Sequence, residues 1–423
     1  MPWTGPGIDD ALAFAIGAYR ERTPQSLAAL EAARAVMPGG NTRSSLWTAP
    51  YPLSIASGAG CRIVDVDGNG YVDFLGEFTA GIFGHTEPLL ARAIAEAHAD
   101  GIGLSSHTPY ETRLARRLVS RFPSMDLVRF ANSGTEANLM ALTAARRVTG
   151  RSRIVVFSGG YHGGVLSFAA GHAPVNVPFD FAVLPFDDAR AAEAEFAARG
   201  SEIAAVLVEP MQGAGGCNTA SPAFLAALRE LCDMHGAVLI FDEVQTARMS
   251  LGGAQARLGL SPDMTVLGKI FGGGLAFGAF GGRRDIMEQF DPARPGALPH
   301  AGTFNNNRLA MAAGVTACDA LLTREALDAL YLQGEAFRAD LNACFEARGG
   351  LFRVTGMGSI MNIHATGPQE EARLRLRLLH LRMMERGQYF AARGLIALSF
   401  PVGVAETDGF LAAVEDCMPL VAA

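Results

Sequence analysis

Apolar positions recur with helical spacing over residues 9–36, and the run stops at Met37-Pro38-Gly39-Gly40, a Pro/Gly signal that ends a helix. Shorter runs with strand character, separated by turn residues, follow to about Phe74. Beyond it the pattern changes to an alternation of strands and helices. Residues 153–158, 203–208 and 237–241 are apolar on both faces, as strands of a buried parallel sheet are. An Ala-rich helical stretch over 138–148 precedes the first of them, and another over 223–234 precedes the third. This alternation predicts an α/β fold, with a mainly parallel, doubly wound sheet in a large domain. From about residue 320 the pattern becomes a helix, short strands and a final helix from Glu406, the mark of a smaller α+β domain. The expected division is an N-terminal segment 1–74 joining the small domain, a large domain over 75–319, and the rest of the small domain over 320–423. Arg373-Leu374-Arg375-Leu376-Arg377-Leu378 alternates like a strand, but its flanks are helical and it reads as a solvated helix face.

Composition narrows the function. With 423 residues, 49% apolar and 18% charged, most of the chain cannot be disordered. A net charge of −7 argues against a general nucleic-acid binder, which needs a basic surface. Six Cys without a C-x-x-C pair predict buried thiols in a reduced compartment. No basic-then-apolar leader is evident, and the weakly polar run 270–282 is too short to cross a bilayer, so a cytoplasmic location is expected. One count changes the picture: of 35 basic side chains, 34 are Arg and a single one is Lys, Lys269. Arg replaces exposed Lys freely, except where the amine itself is needed, because a guanidinium stays protonated and forms no imine.

Lys269 lies in Leu267-Gly268-Lys269-Ile270-Phe271-Gly272-Gly273-Gly274, where apolar neighbours desolvate the amine and make it a better nucleophile toward a carbonyl. Asp242 ends the apolar run Val238-Leu239-Ile240-Phe241, at the carboxyl edge where open α/β sheets bind ligands. An acid there is placed to keep a cationic ring nitrogen protonated. Asn132-Ser133-Gly134-Thr135-Glu136 precedes a helical run; it is a capping box, and it also offers backbone N–H groups and hydroxyls to a phosphate. It is neither a Walker loop nor a dinucleotide fingerprint. Gly159-Gly160-Tyr161-His162-Gly163-Gly164 follows a strand and puts a ring able to stack on a planar ligand on a mobile, Gly-rich turn. Asp65-Val66-Asp67-Gly68-Asn69-Gly70 resembles the opening of a calcium loop, but position twelve is Gly76, so a turn between strands is expected. The nine His have no metal-ligand spacing, and no metal is expected.

An amine for an imine, an acid for a ring nitrogen, a phosphate cradle and a stacking ring together describe a site for pyridoxal 5′-phosphate. With Asn132-Ser133-Gly134-Thr135-Glu136-Ala137, Gly160-Tyr161-His162-Gly163, Val208-Glu209-Pro210, Phe241-Asp242-Glu243-Val244-Gln245-Thr246, Leu267-Gly268-Lys269 and Gly302-Thr303-Phe304-Asn305-Asn306-Asn307 in this order, nearly the whole chain resembles the class III aminotransferases, which are fold type I pyridoxal-phosphate enzymes. The resemblance implies that Lys269 forms the imine with the cofactor and shuttles the substrate proton, and that Asp242 pairs with the pyridinium nitrogen. It implies too that Val244 packs on the ring, Tyr161 stacks on its open face, Ser133, Gly134 and Thr135 hold the phosphate, and Gln245 lies near the phenolic oxygen. Thr303 would reach the phosphate of a neighbouring subunit, which implies a homodimer with shared sites.

Within the family, Met37-Pro38-Gly39-Gly40 is similar to the glutamate-1-semialdehyde aminomutases. Those continue with Val-Asn-Ser-Pro-Val-Arg and carry Ser-Gly-Asn further on, whereas this chain has Asn41-Thr42-Arg43-Ser44 and Asn305-Asn306-Asn307. Both departures resemble the β-amino-acid aminotransferases acting on β-phenylalanine. That likeness implies that Arg43 binds the substrate carboxylate and that Arg393 serves the carboxylate of a keto-acid acceptor such as 2-oxoglutarate or pyruvate. An aminomutase, transferring the amine within one molecule, is the alternative; a decarboxylase, a racemase and a non-catalytic binding protein rank below it.

Overall fold

The computed structural model describes residues 7–169 and 173–421, and the chain divides into two units, Pro88–Tyr331 and Met1–Glu87 with Leu332–Ala423. The first is built on seven strands: β1 (Leu127–Ala131), β2 (Arg153–Phe157), β3 (Asp180–Leu184), β4 (Ile203–Val208), β5 (Val238–Asp242), β6 (Met264–Gly268) and β7 (Gly278–Gly282). They lie in the order β1-β7-β6-β5-β4-β2-β3. Neighbours from β6 to β3 run parallel, whereas β7 is antiparallel to both β6 and β1. The expected α/β, doubly wound architecture is therefore present.

The strand sequences explain it. Successive side chains point to opposite faces of a sheet. Thus Ile154, Val156, Ala205, Leu207, Val238 and Ile240 join one core, packed under the Ala-rich face of helix Gly134–Thr149. Their neighbours Val155, Phe157, Val206, Val208, Leu239 and Phe241 join the other, against Phe224, Leu225, Leu228 and Cys232 of helix Pro222–His235. The antiparallel β7 is what the pattern did not reveal. Gly-Ala-Phe-Gly-Gly reads as a loop, yet its glycines are there because the backbone is crowded: a Cβ at Gly278 would stand 2.1 Å from the Ser133 carbonyl oxygen.

In the second unit, the helical pattern over 9–36 resolves into two helices, Ile8–Arg22 and Pro24–Arg34. The break falls where Pro24, lacking an N–H, opens the second helix, and the Thr23 hydroxyl donates to the Tyr19 carbonyl at 2.7 Å. Strands Ile55–Ala59, Arg62–Asp65 and Gly70–Asp73 form an antiparallel meander joined by Gln388–Tyr389. The calcium-like motif is the expected turn, in which Asp65 Oδ1 accepts the N–H groups of Asp67 (3.0 Å) and Asn69 (2.8 Å). A second sheet comprises Phe352–Met357, Ile360–Ala365 and Leu395–Ala397. Residues 373–378 are helical, within Gln369–Glu385, and Arg373 and Arg375 pair with Glu370 and Glu371 one turn earlier. A ring cluster of Phe74, Phe337, Phe390 and Phe410 fills the core of this unit. Among the described residues, no helix is long and apolar enough to cross a membrane, and no group of three His, Cys, Asp or Glu is arranged to hold a metal.

Candidate active site

The turn from β1 into helix Gly134–Thr149 is capped by Ser133, and Glu136 reaches back one residue beyond the cap. Ser133 Oγ accepts the Glu136 N–H at 3.2 Å, and the Glu136 carboxylate accepts the Asn132 N–H at 3.0 Å. The first N–H groups of the helix, those of Gly134 and Thr135, point out of its positive end, where geometry and dipole favour an anion. Thr135 Oγ1 accepts the Gly164 N–H at 3.2 Å, and a Cβ at Gly163 (φ +128°) would fall 2.1 Å from that hydroxyl. The capping turn and the Tyr161 turn are thereby locked together. The latter was expected to be mobile. It is pinned instead: Gly159 and Phe168 N–H groups bond to the Phe168 and Gly160 carbonyls at 3.0 and 2.8 Å, and Tyr161 N–H donates to Glu209 Oε2 at 3.0 Å. The Tyr161 residue is itself 43% exposed.

At the end of β5, Asp242 is buried and fixed on both oxygens. Asn138 Nδ2 donates to Oδ2 at 2.9 Å, His162 Nδ1–H donates to the same oxygen at 2.8 Å, and the Val244 N–H donates to Oδ1 at 3.0 Å. Burial alone would lower the His162 pKa, but its hydrogen bond to Asp242, with the Asp242 and Glu209 charges, holds it above the ordinary value. Burial pushes the Glu209 carboxyl up to about 7, opposed by the His162 charge and reinforced by that of Asp242. Val244 links the parts: a Cβ at Gly134 or at Gly268 would meet its methyls at 2.9 or 3.2 Å. Both glycines are bare because Val244 fills that space.

Lys269 follows the last residue of β6 and opens a short 3₁₀ turn, Lys269–Gly272. It is half-buried, with φ +49°, a left-handed conformation that costs a non-glycine residue about 1–2 kcal/mol. Strain of this kind persists where the fold dictates a side-chain direction. β5 and β6 are parallel neighbours, with Asp242 opposite Val266, so the Asp242 and Lys269 positions share one sheet edge. Gln245 is half-buried, and a Cβ at Gly213 would lie 2.2 Å from its side chain. The donor set suits pyridoxal phosphate. A buried, ordered carboxylate faces one end, an anion-favouring helix terminus the other, and a branched apolar side chain lies between them. Two buried acceptor oxygens nearby, Asn138 Oδ1 and Gln245 Oε1, have no hydrogen-bond partner among the described residues.

Ser133, Gly134, Thr135, Tyr161, Asp242, Val244, Gln245 and Lys269 all lie on the turns at this edge. Thr303 belongs to the same unit but is exposed, beside Phe304 at 65% exposure, on a loop tied to the capping turn by Asn132 Nδ2 donating to Asn305 Oδ1 at 2.9 Å. Arg43 and Arg393 belong to the other unit, where each lines a cavity. That of Arg43 is about 510 Å³, and the guanidinium there pairs with Glu77 and lies 5.3 Å from the Phe78 ring centroid. Arg393 is exposed, in a cavity of about 460 Å³ with Trp47, Arg377 and His380. Sequence reasoning missed Asn138, the His162 contact with Asp242, and Glu77. A single Asn on the buried face of an Ala-rich helix was the signal for the first.

The family model for class-III aminotransferases matches residues 44–400. The chain is 49% identical over 420 residues to the β-phenylalanine transaminase of Variovorax paradoxus, covering 97% of this chain and 96% of that one. A solved β-phenylalanine aminotransferase from the same organism superposes with a TM-score of 0.95 at 48% identity, covering 98% of each chain. A glutamate-1-semialdehyde 2,1-aminomutase of Sorangium cellulosum is 38% identical over 399 residues, 88% of this chain and 91% of that one. A solved transaminase with PLP bound matches with a TM-score of 0.89 at 34% identity, over 94% of this chain and 98% of that one.

Proposed function

The chain belongs to the class-III aminotransferases, it is a pyridoxal-phosphate-dependent transaminase, and from that premise we propose that it moves the amine of an aromatic β-amino acid, such as β-phenylalanine, to a keto acid such as 2-oxoglutarate or pyruvate. The observation that carries the substrate reading is the 49% identity to a β-phenylalanine transaminase along 97% of the chain. Arg43 in Asn41-Thr42-Arg43-Ser44 supports it: a fork-shaped guanidinium suits a carboxylate, and a β-amino acid holds that group one carbon further from the amine than an α-amino acid does.

When bound, pyridoxal phosphate supplies the amine carrier and the electron sink that makes the substrate Cα–H or Cβ–H bond acidic. The rest falls to the chain. Lys269 Nζ would hold the cofactor between turnovers and, once displaced by the substrate amine, would take up the proton leaving the amine-bearing carbon. Asp242, oriented by His162 Nδ1–H and Asn138 Nδ2, would hold a proton on the ring nitrogen. The N–H groups of Gly134 and Thr135, with the Ser133 and Thr135 hydroxyls, would bind the phosphate; Val244 and Tyr161 would pack on the ring, and Gln245 would serve its phenolic oxygen. Arg43 receives the substrate carboxylate and Arg393 that of the acceptor. Thr303, exposed on its loop, reaches the phosphate of a second copy, so the working unit is a homodimer.

The test is turnover of the purified enzyme with β-phenylalanine plus 2-oxoglutarate or pyruvate, set against glutamate-1-semialdehyde alone. Acceptor-dependent amine transfer from β-phenylalanine is expected. Amine exchange only in the second assay, with no need of an acceptor, would establish the aminomutase instead.

A further inference from the structure

Arg43, the residue proposed to receive the substrate carboxylate, already faces one: its guanidinium pairs with Glu77. Glu77 reaches it from an unusual stretch of backbone. Gly76, Glu77, Phe78 and Thr79 are all left-handed, with φ of +53°, +48°, +51° and +78°. Three of the four carry side chains, and such a turn persists only where its surroundings dictate it. Asp73 does so from below, its Oδ1 accepting the Leu75 and Gly76 N–H groups at 2.8 and 3.1 Å while Oδ2 pairs with His85 Nε2 at 3.1 Å. From above, the Gly81 N–H closes the turn on the Gly76 carbonyl at 2.8 Å. The segment is therefore built to present Glu77 and Phe78 together to Arg43.

We infer that Glu77 is a displaceable stand-in for the substrate carboxylate, holding Arg43 ready when the cavity is empty and yielding it when a carboxylate enters. The inference rests on the reading of Arg43 as the substrate-carboxylate site. Two features suit a partner that must leave. Both side chains stay open to solvent, at 45% and 59% exposure, so the pair is weak and Glu77 has water to retreat into. The Phe78 ring, 5.3 Å from the guanidinium, keeps Arg43 in place while its ionic partner changes. Exchanging one carboxylate for another leaves the guanidinium paired throughout. A ligand without a carboxylate has no means of displacing Glu77, so the exchange selects for acids.

The probe is 3-phenylpropanoate, the β-phenylalanine skeleton without its amine, with 3-phenylpropan-1-ol as its uncharged counterpart, titrated calorimetrically into the holoenzyme. Glu77→Gln removes the competing charge at nearly constant shape, and it should bind 3-phenylpropanoate about 3- to 10-fold more tightly, with no gain for the alcohol. Equal or weaker binding of the acid would mean that Glu77 is a fixed brace, and an equal gain for both ligands would mean that space was opened; either overturns the inference, as does no binding of the acid to either protein. A crystal structure of the wild-type complex needs no variant: Glu77 parted from Arg43 is expected, and Glu77 still on Arg43 beside the ligand contradicts it. Failure to transaminate β-phenylalanine with tighter acid binding in Glu77→Gln would sink the functional reading alone. Normal turnover without that tightening would sink only the exchange.

Discussion

Two ion pairs of this chain, each including a residue proposed for the site, make opposite use of charge. Asp242 and His162, with side chains 4% and 1% exposed, are sealed in the sheet unit, and every atom of Asp242 that accepts a bond has a fixed donor. Arg43 and Glu77, in the other unit, are half in water. A buried pair cannot lose one member without leaving an uncompensated charge, a penalty of about 3–5 kcal/mol. An exposed pair contributes only about 0–1 kcal/mol and can be exchanged. The lesson is that permanence is a matter of burial. On the proposed reading, ring protonation belongs with the sealed pair and substrate choice with the open one.

That contrast breaks first at the amine. Lys269→Ala should lower kcat by roughly 10²–10⁴-fold or more, since no second Lys stands in; a steady-state assay retaining wild-type turnover contradicts the account. Asp242→Asn keeps the shape but removes the charge that holds the ring proton. A loss on the order of 10²–10³-fold in kcat with little change in KM is expected. Arg43→Ala sharpens the contrast from the other side: KM for β-phenylalanine should rise about 10- to 100-fold, with Tm nearly unmoved because the residue is exposed.

The smallest effect tests burial itself. Glu209 goes from an ordinary 4.5 to about 7 in the folded protein, so the folded state holds that proton more tightly than the unfolded one. Its favourable contribution is complete below about 4.5 and is lost as pH rises to about 7. His162, raised as well, has the same sign. Thermal melts should therefore show wild-type Tm falling by a few degrees relative to Glu209→Gln across that window. A gap that moves in favour of the wild type with rising pH reverses the assignment.

Much of the buried region was legible in the sequence, and the reason is physical. Parallel strands covered on both faces must be continuously apolar, so Ile203–Val208 and Val238–Asp242 announce themselves, and an acid such as Asp242 at the end of such a run stands out. Lys269 stood out because its chemistry has no Arg substitute. What stayed hidden depends on tertiary approach. Gly-Ala-Phe-Gly-Gly becomes a strand only because Ser133 and Leu127 crowd its backbone. The split of the first helix turned on one Pro within a continuous apolar period. Glu77 gave no sign at all, since left-handed φ at three residues with side chains has no propensity signature, and its partner is 34 positions away.

The account depends most on one bond between this chain and its cofactor, and borohydride reduction of the holoenzyme followed by peptide mass spectrometry reads it directly. One phosphopyridoxyl group per chain, on the peptide carrying Lys269, is the predicted result. No adduct, or one confined to the terminal amine, would contradict the account.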